Sequence, residues 1–162
     1  MNAAARIVAG MTAAACATYI MDALGEAMYA HQSDASKQRE SAIEPTSALA
    51  VLAERLLDAA GREASEKSVK HLSARIHWAF GTSNGALYAM LDRRISVMSK
   101  LLAAPFSMML FVFDELALPA FGLTPAPSAF PKETHVRSFA NHLVYGAVLA
   151  TVFRGLTHLA SD

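Results

Sequence analysis

Residues 77–91 read HWAFGTSNGALYAML, a stretch uncharged from 78 onward and free of proline. His77, Gly81, Asn84 and Tyr88 follow a 4-3-4 spacing, which puts them on one face of a helix. Gly81 and Gly85 form a GxxxG pattern, and such a pattern lets two helix backbones approach closely. The stretch therefore predicts an apolar helix over 72–91 with a small, polar inner face.

Three further apolar stretches of similar length lie outward from it, at 6–29, 99–119 and 137–158. At 1.5 Å per residue, about 20 residues cross a hydrocarbon layer of about 30 Å. The expected fold is all-α, a four-helix transmembrane bundle forming a single membrane domain over residues 1–162. Uncharged runs reach only 7–21, 78–91, 101–113 and 143–153. These fall short of the roughly 18 residues that decide a span from hydropathy alone. A cleaved leader is not expected from the first stretch, because Asp22 and Glu26 continue its helical pattern on one face and no A-x-A site follows.

Between the first two stretches, residues 31–70 form a soluble loop holding thirteen of the twenty-eight charged side chains. Within it, Leu49, Leu52, Leu56 and Leu57 recur at helical spacing against Glu54, Arg55 and Asp58, and Gly61 ends the run. That predicts a short amphipathic helix capping the bundle. Four of the six prolines fall in 119–131, a stiff connection to the last helix.

Composition narrows the function. Hydrophobic residues make up 54% of the chain and charged residues 17%, which excludes disorder. Fourteen basic and fourteen acidic residues leave no net charge, so nucleic acid is not an expected partner. Cys16 is alone and is expected to be an inert, buried small hydrophobe. No nucleophile elbow, HExxH or Ser/His/Asp signature occurs, and the expectation is of a protein that is not an enzyme.

An internal likeness gives the chemistry a place. His77-to-Gly81 matches His142-to-Gly146, with Tyr88 corresponding to Phe153 and Leu91 to Leu156. The first and third stretches each carry acids late, Asp22 with Glu26 and Asp114 with Glu115. Such a pattern suggests a duplicated two-helix hairpin, acid-bearing helix then histidine-bearing helix. In an up-down-up-down bundle, Asp22, Glu26, His77, Asp114, Glu115 and His142 then share one layer, roughly 8 Å inside the helix ends. Asn84, Tyr88 and Tyr145 lie on the same faces, while Gly10, Gly81, Gly85 and Gly146 are placed for helix packing.

Three readings of this layer compete: polar pairs that only fix helix packing in a structural subunit, a proton or ion pathway, and a metal or cofactor site. The last would be a transition metal on His77, His142, Asp22 and Glu115, although the Glu-x-x-His pairs of di-iron bundles are absent. His71 and His135 are expected at the interface, and Arg154 and His158 as caps or headgroup contacts. The Met and Phe cluster at 106–113 reads as lipid-facing packing.

Taken together, the late acid of the first helix, the His77-to-Gly81 element with Tyr88, the Asp114-to-Leu123 element and the His142-to-Gly146 element resemble the YagU-like bacterial inner-membrane proteins. That resemblance implies an integral inner-membrane protein without an assigned biochemical activity, linked in at least one member to acid tolerance. The expected partners are the lipid bilayer and either a membrane partner subunit or a second copy of the chain. Arg6, Arg93, Arg94 and Lys100 on the side bearing the N-terminus place both termini in the cytoplasm by the positive-inside rule. The acid/histidine layer would then face the periplasm, and the leading expectation is a proton- or ion-responsive polar core.

Overall fold

The computed structural model describes residues 1–92, 101 and 103–160. Those residues form an all-helical fold: α1 (Ala3–Ala30), α2 (Asp34–Ile43), α3 (Ala48–Ala59), α4 (Glu66–Asp92), α5 (Ala104–Ala120) and α6 (Lys132–Leu159), with a short 3-10 turn at Pro127–Ala129. Among the described residues, one helix, α1, is long and apolar enough to cross a membrane. The helix α5 has 17 residues, and α4 and α6 interleave His, Asn, Ser and Tyr with their apolar residues.

The helix α1 begins where the Asn2 side chain accepts a hydrogen bond from Ala5 N (2.9 Å), satisfying one of the orphan donors of the first turn. Its buried face consists of Ala9, Gly10, Ala13, Ala14, Ala17 and Thr18, all small. That face lets α4 and α6 pack closely on either side of it, both antiparallel to α1. At the α1/α4 crossing, a Cβ built on Gly85 would lie 2.1 Å from Gly10 O, so the two backbones are in direct contact. The core continues with Tyr88, Phe106, Leu110, Leu149 and Phe153, and α5 closes it against α6. Tyr88 and Phe153, paired by the internal likeness, meet each other edge to face with ring centroids 5.5 Å apart.

Several boundaries differ from expectation. The third helix starts at Ala104 rather than 99, because Pro105 fits the first turn, where a missing N–H leaves no bond unmade. Residues 99, 100 and 102 of the expected helix lie outside the described residues, as do Arg93, Arg94 and Lys100 of the orientation argument. The second and fourth helices begin earlier, at Glu66 and Lys132, so the Asp/His level sits roughly 9–16 Å from the helix ends at 1.5 Å per residue. Cys16 is exposed rather than buried, since the inner stripe of α1 passes through Ala13, Ala14 and Ala17. The 106–113 cluster divides: Phe106, Ser107 and Leu110 are buried, while Met109, Val112 and Phe113 face outward.

The loop 31–70 is more ordered than its charge suggested. The helix α2 starts from a Ser33 side-chain cap and is fixed to α6 by Arg137, which pairs with Glu40 and stacks over Tyr29 at 5.1 Å. Burial opposes the charge on Glu40. Hydrogen bonds from Arg137, Gln32 and Thr134 outweigh it and hold the carboxyl below its ordinary value. Burial pushes neighbouring Glu44 the other way, upward. The amphipathic α3 caps the bundle as expected, burying Ala53 and Leu57 against Val69, Leu72 and Ile76.

Candidate functional site

Each hairpin sets an aspartate against a histidine. In the first, α1 and α4 run antiparallel, and His77 Nε2 donates to Asp22 Oδ1 (3.0 Å) and Oδ2 (3.1 Å). In the second, His142 Nε2 donates to Asp114 Oδ2 (3.2 Å), while its Nδ1 donates to Ser138 O (2.8 Å). Both ring nitrogens of His142 thus face acceptors, and the ring packs against Phe111 with centroids 5.7 Å apart. Four residues beyond each histidine comes a glycine against a hydroxyl side chain: Gly81 on Thr18, Gly146 on Ser107. Local helix geometry produces this, since one turn along an antiparallel pair brings the next inward positions face to face.

The two pairs border one cavity of about 280 Å³, lined by His77, Asp114 and His142 together with Asn84, Tyr145 and mainly apolar side chains. Tyr145 spends its hydroxyl on Gly81 O (2.7 Å), tying α6 to α4 at this level. Thr18, 1% exposed, has no hydrogen-bond partner for its hydroxyl among the described residues. Thr18 lacked any charge or motif to single it out beyond its spacing from Asp22.

The remaining expected residues are placed elsewhere. Glu26 is exposed, one turn beyond Asp22, and stays outside the pairs. Glu115 turns to His135, whose Nδ1 lies 3.1 Å from Glu115 Oε2, and His135 Nε2 donates to Pro127 O (2.9 Å). The proline-rich connection folds back and supplies this carbonyl. Tyr88 belongs to the far end, with its hydroxyl toward Asp92 (3.4 Å), because its helix has by then advanced three turns past His77. Asp92 there pairs with Arg6 at 3.1 Å, and Arg6 lies over the Phe153 ring.

Among the described residues, no three His, Cys, Asp or Glu side chains are grouped so as to hold a metal ion. The quartet His77, His142, Asp22 and Glu115 is divided among three pairs, each acid taking its own histidine. A tetrahedral site needs convergent ligands, and these are committed elsewhere.

Compared with known proteins, the sequence matches a family described as a protein of unknown function (DUF1440) over residues 45–151. The chain belongs to the DUF1440 family. The DUF1440 match runs from α3 through most of α6 and so includes His77, Asp114 and His142, while Asp22 precedes it. No curated protein and no solved structure matched the chain.

Proposed function

We propose that this DUF1440 chain is an integral membrane protein whose paired aspartates and histidines form a proton-responsive layer inside a helical bundle. The observation that carries the reading is where large and small apolar residues sit. The helix α1 buries alanine and glycine and turns Val8 (63% exposed) and Tyr19 (68% exposed) outward, with Met11 and Ile20 beside them. In water, burying the larger side chains would release more free energy, about 25 cal/mol per Å² of apolar surface. The reversed arrangement suits a solvent as apolar as the side chains themselves, where close packing of small residues holds helices together. Trp78, Leu87 and Met90 of α4 and Met109, Val112 and Leu116 of α5 extend the same outward belt.

That belt lies between two polar levels, Arg6 with Asp92 and Asp22 with His77, separated by roughly 24 Å along α1. Charged groups near the interior of a bilayer pair with one another, as those of both levels do. Each Asp/His pair can hold an ionic or a neutral hydrogen bond, and histidine exchanges its proton between about pH 5 and 8. The YagU-like resemblance supports an inner-membrane location with cytoplasmic termini and a part in envelope acid response. Among the described residues no ligands converge for a metal-binding bundle, and a purely structural role for the pairs is the alternative that experiment must separate.

Hydrogen exchange on protein reconstituted in liposomes does so. The expected result is a change in protection around α3, α4 and α5 as pH falls from about 8 to 5. It should be absent when Asp22→Asn and Asp114→Asn are combined. Identical profiles for both proteins would leave the pairs as packing elements, and release of the protein by alkaline carbonate would reject the membrane reading.

A further inference from the structure

The cavity of about 280 Å³ between the two Asp/His pairs has a wall its neighbours do not fill: Leu49 and Leu52 from α3, Ile76 and Phe80 from α4, Leu110 and Phe113 from α5. We infer that it is a binding site for a small, uncharged amphiphile of about two fused rings, entering between Phe80 and Phe113. The inference goes beyond the proton-responsive reading, because volume, lining and access carry it whether or not the pairs respond to protons.

Size sets the class first. An apolar cavity of about 150 Å³ holds benzene, so one of this volume holds roughly a two-ring molecule. Pockets for small ligands combine an apolar wall with a few polar groups, and here the polar edge is Asn84, His77, Asp114 and His142. Charge comes next. Each carboxylate at this edge already has an imidazole, so a cationic ligand would have to displace one. An anion would be repelled by the Asp114 carboxylate at the same edge. An uncharged hydroxyl or carbonyl avoids both costs, and Asn84 on the same wall can bond to it.

Access follows from what covers the cavity. On one side α3 is held down by its own apolar cluster and by Arg55, which donates to Phe121 O (2.8 Å) and Gly122 O (2.6 Å). On the side of α4 and α5 the cavity is lined by the Phe80 and Phe113 rings, 6.5 Å apart and 18° from parallel, each about half exposed on the outer belt. A molecule dissolved in an apolar surrounding reaches the cavity by parting two side chains, with no backbone bond to break.

Calorimetry on the full chain in detergent, with naphthol as probe, tests this. Naphthol should bind saturably, one per chain, and naphthoate about a hundredfold more weakly. Naphthalene, lacking the hydroxyl, should be weaker than naphthol by about tenfold. Leu110→Trp and Ile76→Phe fill the cavity from different helices and should each weaken naphthol by about tenfold or more, whereas Leu116→Trp on the outer surface should not. Where a filled variant does not fold, nuclear Overhauser contacts from naphthol to Leu110 and Phe113 in the unaltered protein give the same answer. Linear uptake by micelles alone, equal affinity in folded filled variants, or naphthoate binding as tightly as naphthol would overturn the proposal. Naphthalene matching naphthol would overturn the polar edge. An absent acid response with naphthol binding intact would fail the proton reading and leave this site standing.

Discussion

The two hairpins use one residue pattern and hold it differently. In α1 and α4 the closest approach is backbone against backbone, Gly10 on Gly85, and His77 is engaged through a single ring nitrogen. In α5 and α6 the glycine faces a side chain, Gly146 on Ser107, and His142 is held through both nitrogens and against Phe111. Side-chain exposure follows suit, 31% for His77 and 12% for His142. The first hairpin is fixed by packing and leaves its ion pair free to rearrange; the second is fixed by its polar contacts. Within the proposed function, His77 is the group that moves and His142 the anchor.

Substitutions that break this contrast should rank accordingly. Gly85→Ala has no room, because the neighbour is backbone that cannot rotate away, and the cost should reach about 3 kcal/mol or more in thermal unfolding. Gly146→Ala meets the Ser107 hydroxyl, which can turn aside, and the Ser107 Cβ, which yields only with a small shift of α5, and about 1–2 kcal/mol is expected. Equal costs at the two glycines would erase the distinction. His142→Ala leaves Asp114 without its donor and should lower stability by about 2 kcal/mol, solvent at the partly exposed Asp114 screening the rest. His77→Ala should cost no more than about 0.5 kcal/mol, and a larger loss there than at position 142 would reverse the assignment.

The smallest effect concerns α2. The Glu40 carboxyl is held below its ordinary value in the folded chain, so its contribution to stability is present above the unfolded pKa, about 4.3, and is lost as pH falls through the folded value. Acid titration of stability should therefore steepen below about pH 4.3 in the native protein. It should flatten in Glu40→Gln. Glu44, raised by burial, acts oppositely, favouring the fold at low pH and losing that contribution as pH rises through its folded value.

Much of this was legible in the sequence because helical periodicity is local. The His-to-Gly spacing of four and the late acids at positions 22 and 114 suffice to bring Asp22 to His77 and Asp114 to His142 once antiparallel neighbours are assumed. What stayed hidden depends on contacts between distant segments. Glu115 neighbours Asp114 in sequence but points about 100° away around the helix, and only the fold of the proline-rich connection supplies His135 as its partner. Tyr88 lies on the predicted face yet three turns too far along. The helix α2 was not anticipated, since its composition is polar and its stability comes from Arg137 on α6. The cavity is a property of volumes, which no spacing rule reports.

His77 and His142 are each paired with their own aspartate at a shared level of the bundle. Nitrogen NMR of imidazole-labelled protein in liposomes, followed across pH, tests it most directly. Asp22→Asn should move the ring-nitrogen resonances of His77 and leave those of His142 in place, and Asp114→Asn should do the reverse. Ring-nitrogen resonances that ignore both substitutions would contradict it.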